Sequence, residues 1–302
     1  MPFHAAAPSV PGSGSARVWF ATARPRGARE AIRNGSLLAA WLFALVSGMV
    51  AGIAAPADPP QGEAPAVGEA VQPRDVPAVV VPVRLPISGN RDTQVEGTVL
   101  RLLDRLLARP GERGVLVLRF DGAEEPGAGT SDFARSLALA RFLADPRLAG
   151  VKTVAWLPGG ARGHAVLVAL GCEEIVLAPE AVLGPANVDE PVVDDAMRAV
   201  YAQIAARRKT VPPALAQALL DPQARVVRVG TDEGDQIVTA AEVAGLRERV
   251  AVLDEEEIGP LPLALSGRRA RELGVARALA RTPAEAARSL GLAEKALVAD
   301  PT

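Results

Sequence analysis

Between residues 78 and 178 the apolar positions alternate between unbroken runs and helical spacing. Residues 78–87 (AVVVPVRLPI) form a β-branched run ended by Ser88-Gly89-Asn90, which predicts a strand. Residues 92–108 follow with apolar side chains at 95, 99, 102, 103, 106 and 107, the spacing of an amphipathic helix opened by an Asp cap. A second continuous strand, 114–120 (GVLVLRF), stops at the Gly-rich loop 121–130, and Ser131 is placed to cap a helix that runs through Ala144. Strand 151–157 (VKTVAWL), a short helix around 162–170 and strand 173–178 (EEIVLA) complete the pattern. Unbroken apolar strands joined by crossover helices predict an α/β fold with a mostly parallel sheet covered on both faces.

Beyond residue 178 the signals are more mixed. Helices are predicted over 194–209, 212–220, 242–249, 267–273 and 283–290, the last with Pro283 in its first turn. Residues 225–229 and 236–239 flank Asp232-Glu233-Gly234 and read as a hairpin.

The N-terminal region has a different character. Arg24, Arg26, Arg29 and Arg33 precede residues 34–57, which hold no charge and end in Ala55-Pro56-Ala57. A basic stretch, an apolar centre and a small-residue exit are the parts of a secretory signal. The run also approaches the ~20 residues that span a bilayer, so an uncleaved anchor is the other form. Both predict a chain exported to an extracytoplasmic compartment, free or tethered by residues 34–57, with the basic side left behind. Residues 58–77, rich in Pro, Gly, Ala and Glu, read as a linker. The predicted organisation is leader 1–57, linker 58–77 and domain 78–302, with a core at 78–210 and an extension at 211–302.

Charge follows this division. Up to residue 57 there are five arginines and one glutamate; afterwards 28 basic face 34 acidic residues. The exported part is acidic and holds only five aromatic residues, which argues against a nucleic-acid partner. One cysteine, Cys172, and two histidines, His4 and His164, exclude a disulfide scaffold and a Cys- or His-rich metal centre.

Two glycine-rich strand-to-helix junctions are the candidate chemistry. In the first, Gly127-Ala128-Gly129 is followed by Asp132, not glycine, and Glu124 and Glu125 would repel a pyrophosphate, so no nucleotide cofactor is expected. The second, Pro158-Gly159-Gly160-Ala161-Arg162-Gly163-His164, opens a small-residue helix, where free backbone N–H groups can hold an anion or oxyanion. The plainer account is a tight turn that lets the helix pack closely on the sheet.

Four segments, VVVPVRLPISG, GVLVLRFDG, VKTVAWLPGGARG and GCEEIVLAPEAVLGPANV, resemble in order those of the membrane-anchored ClpP-class serine peptidases of the NfeD and signal-peptide-peptidase A type. The resemblance continues through ALSGRRARELGVARALA and covers about residues 78–290. It implies the ClpP/crotonase fold, a stacked ββα superhelix with mostly parallel strands, self-association into an oligomer, and a cleft that takes peptides or membrane proteins. The family's serine position falls on Gly163, and its lysine is expected at residues 189–194, where there is none; the chain's lysines are Lys152, Lys209 and Lys295. Of the family's oxyanion loop only Asp121-Gly122 matches.

A Ser/Lys dyad needs an activated hydroxyl within reach of a neutral amine. The resemblance therefore implies a catalytically degenerate binding or scaffolding protein with a cleft formed around Asp121, Gly122, Gly159, Gly160, Arg162 and Gly163. His164 is a candidate base that lacks an evident nucleophile. An active endopeptidase with a relocated serine is the alternative, with Ser131 and Ser136 on or beside the second helix. A crotonase-type thioester enolate chemistry fits poorly with an exported compartment. No cofactor or metal is implied.

Overall fold

The computed structural model describes residues 76–188, 190 and 192–297. The leader and nearly all of the linker lie outside these residues. In chain order the elements begin with β1 (Ala78–Arg84), α1 (Arg91–Leu106), β2 (Gly114–Asp121), α2 (Phe133–Leu143), β3 (Val151–Leu157), α3 (Ala165–Leu170), β4 (Glu174–Leu177) and β5 (Val182–Leu183). They continue with α4 (Asp195–Arg208), α5 (Pro213–Leu220), β6 (Val226–Thr231), β7 (Gly234–Thr239) and α6 (Val243–Arg247). The last are β8 (Val252–Ile258), β9 (Leu265–Ser266), α7 (Gly267–Glu272), β10 (Ala278–Leu279) and α8 (Pro283–Ser289).

The main sheet has the order β1-β2-β3-β4-β10, and every pairing in it is parallel. This is the α/β, mostly parallel arrangement expected from the sequence. Strands in sequential order joined by right-handed crossovers must put their helices on one face. Accordingly Leu116, Leu118 and Phe120 of β2 pack in one cluster with Val95 and Val99 of α1, Leu139 and Leu143 of α2 and all of α3. The alternate residues Val115 and Val117 join Val154, Trp156 and Val176 on the opposite face. That face is covered by the C-terminal segment, through Ala286, Ala287, Leu292 and Leu297. Burying such side chains contributes about 1.5–3 kcal/mol each for the larger ones. The Trp156 indole N–H donates to the Ala280 carbonyl at 3.2 Å, so its one polar atom is satisfied inside this layer.

Two helix caps differ from the sequence-based expectation. Asp92 does not cap α1; it is buried and paired with Arg135 of α2 at 3.1 Å. The N-cap of α2 is Asp132, which accepts from the Arg135 amide at 2.9 Å. Ser131 instead accepts from the Ile87 amide at 2.9 Å, tying the end of the first strand segment to the start of α2. The hairpin predicted around 232–234 is β6–β7, and β8 adds a third antiparallel strand on the other side of β6. Among the described residues no helix is long and apolar enough to cross a membrane.

Candidate functional site: the cleft at the carboxyl ends of the parallel strands

In open parallel sheets the crevice for a ligand lies outside the carboxyl ends of the strands. Here the chain leaves β2 at Asp121, β3 at Leu157 and β4 at Leu177, and the three following loops meet over that edge. They enclose a cavity of about 550 Å³, within the size range of small-ligand sites. Its polar lining comes from Glu124, Arg162, Glu180 and Arg281. A second pocket of about 410 Å³ lies against residues 123–130 and Val188, and shares Glu124 and Arg162 with the first.

Glycines shape the wall between them. After β3 the chain turns at Pro158-Gly159-Gly160 and runs beside residues 182–185: the Ala161 amide donates to Val182 at 2.9 Å, Gly184 to Ala161 at 2.8 Å, and Gly163 to Pro185 at 2.9 Å. Gly160 has φ 91°, and a Cβ there would lie 2.3 Å from the Val182 carbonyl oxygen, so only glycine allows this approach. The same holds more strongly at Gly163. Its φ is 58°, and a Cβ would lie 1.7 Å from the carbonyl oxygen of Gly129.

The cleft residues picked out in the sequence are therefore distributed unevenly. Gly159 and Arg162 line the cavity. Gly160 and Gly163 form its backing through close backbone packing. Asp121 is held by its own strand, where Arg119 Nε reaches its carboxylate at 2.9 Å, and Gly122 starts the 121–130 loop with φ 82°. The amides of Gly159, Arg162 and His164 donate to no acceptor among the described residues, and the Arg162 guanidinium has no partner there. Glu180, by contrast, is committed: hydrogen bonding from Arg281 holds its carboxyl below the usual range, against a smaller opposing effect of desolvation.

His164 lies beside this wall but does not face the cavity. It is 1% exposed, with Nδ1 3.1 Å from the Tyr201 hydroxyl and Nε2 2.9 Å from Glu190 Oε1. Phe133 packs on the ring with centroids 5.0 Å apart. Burial pushes the Tyr201 phenol well above its ordinary range, with the Glu190 charge adding to it, so the hydroxyl keeps its proton. With the neutral ring, Tyr201 donates to Nδ1 and Nε2–H donates to Glu190, which satisfies both nitrogens. Glu190 and Tyr201 were not legible as site residues. The available signals were Glu190 lying within the stretch where a lysine was sought and Tyr201 being the chain's single tyrosine.

Among the described residues no hydroxyl is hydrogen-bonded to a lysine. Lys152 pairs with Glu174 at 2.8 Å at the start of β3, and Lys209 is the left-handed cap of α4. Ser131 is bound to Ile87, Thr130 donates to the Gly127 carbonyl at 2.7 Å, and the hydroxyl of Ser136, buried in α2, has no hydrogen-bond partner among the described residues. Cys172 is buried, and desolvation pushes its thiol up to about 12. Among the described residues no group of three or more His, Cys, Asp or Glu side chains is arranged to hold a metal ion.

No protein-family model matches the sequence, and no curated protein matches it. Solved structures do resemble the fold. A variant of the 1510-N membrane-bound stomatin-specific protease is 11% identical, with a TM-score of 0.47 over 74% of this chain and 92% of its own. The 1510-N membrane protease specific for a stomatin homolog from Pyrococcus horikoshii is 11% identical, with a TM-score of 0.43 over 69% and 76%. An enoyl-CoA hydratase/isomerase family protein from Silicibacter pomeroyi is 14% identical, with a TM-score of 0.39 over 74% and 80%. These neighbours are proteins of the ClpP/crotonase fold.

Proposed function

We propose that this chain is an exported or membrane-tethered homologue of the NfeD-type ClpP-class peptidases that has lost serine-type catalysis. It binds an extended peptide, or a segment of a membrane protein, in the cleft beyond β2, β3 and β4, and it acts by holding or scaffolding that partner, in an assembly of its own copies. The observation that carries this reading is at Gly163. At the position where the sequence resemblance expects a serine, the Gly129 carbonyl occupies the space a side chain would need. Arg162, with no partner among the described residues, stands in the adjoining cavity and supplies recognition in place of chemistry.

The test treats the full-length protein with an alkyl fluorophosphonate and reads intact mass, then passes a defined set of synthetic decapeptides over the immobilised protein. The expected result is no adduct and retention of uncleaved peptides. An adduct on one serine, with cleavage products, overturns the degenerate reading in favour of a relocated nucleophile. Recovery of every peptide in the flow-through overturns the binding reading.

A further inference from the structure

Four charged side chains line the larger cavity, and two of them are already committed to each other. Arg281 binds the Glu180 carboxylate through Nε at 3.1 Å and through Nη2, and Arg268 approaches the same carboxylate at 3.7 Å. Arg162 and Glu124 remain, neither with an ion pair or hydrogen bond among the described residues. The rest of the lining is small and apolar, including Ala161, Ala178, Ala181, Val182 and Ala264. The site thus offers aliphatic walls and a guanidinium with no partner among the described residues, beside the Gly159 and Arg162 amides, which likewise have no acceptor there.

From this lining we infer that the cavity reads a carboxylate attached to an aliphatic group, namely the C-terminal residue of a peptide. The inference rests on the proposed peptide-binding role of the cleft and specifies which part of the peptide enters. A guanidinium presents a planar fork that matches a carboxylate through two parallel hydrogen bonds. A monoanion is favoured over a phosphate or other dianion, because Arg162 can offset one negative charge while the carboxylates of Glu124 and Glu180 line the same cavity. The alanine and valine walls accept a branched aliphatic side chain. A free aliphatic acid presents the same chemistry as a peptide terminus, so the experiment separates the two sources.

The probes are N-terminally fluorescein-labelled decapeptides ending in valine, each made as the free acid and as the C-terminal amide. Binding to the full-length protein is followed by fluorescence anisotropy. The free acids bind about tenfold tighter or more, the size expected for a charge-assisted hydrogen bond to an arginine. Arg162→Gln removes the acid-over-amide preference while the amides bind as before, Arg162→Lys keeps part of it, and Glu124→Gln enlarges it. Circular dichroism melts of the variants show that the fold is kept, as the exposure of both side chains leads one to expect.

Equal binding of acid and amide overturns this inference and leaves the peptide-binding function standing. Binding of neither form sinks both. A preference that survives Arg162→Gln assigns the carboxylate to another group and overturns the role of Arg162. Displacement of the peptide by isovalerate at equal concentration makes the ligand a small acid and overturns the C-terminal assignment.

Discussion

Replacing Gly163 by alanine tests the packing of the 121–130 loop against the turn after β3. Two costs combine there. A non-glycine residue at φ 58° is in the left-handed region, which costs roughly 1–2 kcal/mol. The added Cβ also falls 1.7 Å from the Gly129 oxygen and 2.8 Å from its carbonyl carbon, so the 121–130 loop must retreat by more than an ångström. Overpacking of that kind costs about 1–3 kcal/mol. The total of roughly 2–5 kcal/mol corresponds to a melting temperature lowered by around 10 °C in a domain of this size. Two controls separate the contributions. Gly274 has φ 73° with nothing within 4 Å of a Cβ, so Gly274→Ala carries the backbone cost alone. Gly245 sits in α6 with open space around it, so Gly245→Ala is neutral or stabilises by up to about 1 kcal/mol. Thermal unfolding of all three variants by circular dichroism decides the matter. If Gly163→Ala melts with Gly274→Ala, the Gly129 contact has no energetic weight and the proposed degenerate reading loses its support.

Three further outcomes are expected. Cys172, the chain's single cysteine, should resist iodoacetamide at pH 8 in the native protein and react once in guanidinium; rapid native alkylation, read by intact mass, would contradict its burial and raised pKa. Tyr201→Phe should destabilise by about 1–3 kcal/mol in denaturant unfolding, because His164 Nδ1 loses its donor inside the core; an unchanged midpoint would show that water or another group replaces it. The Glu180 carboxyl is held low in the folded state, so its contribution to stability is present above the ordinary carboxylate range and is lost as pH falls through the lowered value. Wild type and Glu180→Gln should therefore differ slightly at neutral pH and converge in acid, and curves that stay parallel would remove the role of the Arg281 pair.

The first four strands of the main sheet and their parallel sense were legible because each strand is an apolar run long enough to stand out and a helical segment separates it from the next. The caps were not, since Asp and Ser near a helix start are interchangeable on sequence grounds. What decided them was distant: Asp92 goes to Arg135, and Ser131 to the Ile87 amide. Strand β8 escaped notice because its centre, Asp254-Glu255-Glu256-Glu257, lacks alternation. It is held as a strand by pairing with β6 and by arginines at 225, 228, 247 and 269 that meet its carboxylates. β5, β9 and β10 are two residues each, too short for any pattern. At the site, the glycine-rich turn was visible as a motif. The His164–Glu190–Tyr201 cluster was not, because it joins residues 26 and 37 positions apart through the return of α4 onto α3.

Glycine at 163 and the acidic loop after β2 are linked by geometry. The loop passes Gly159 at Ala123, where a Cβ on Gly159 would lie 3.1 Å from that of Ala123, and reaches Gly163 at Gly129. Gly129 is confined in turn by Val188, whose Cγ1 would stand 3.0 Å from a Cβ on it. Backbone at 129 and a side chain at 163 therefore claim the same volume, and the segment at 188 limits how far the loop can withdraw. Any side chain at 163, a serine's included, and this loop path exclude one another, so none can be introduced there without moving the loop. The same loop contributes Glu124 to the lining of the cavity that Arg162 shares. The loop that fills the space at 163 thus also builds part of the cavity wall.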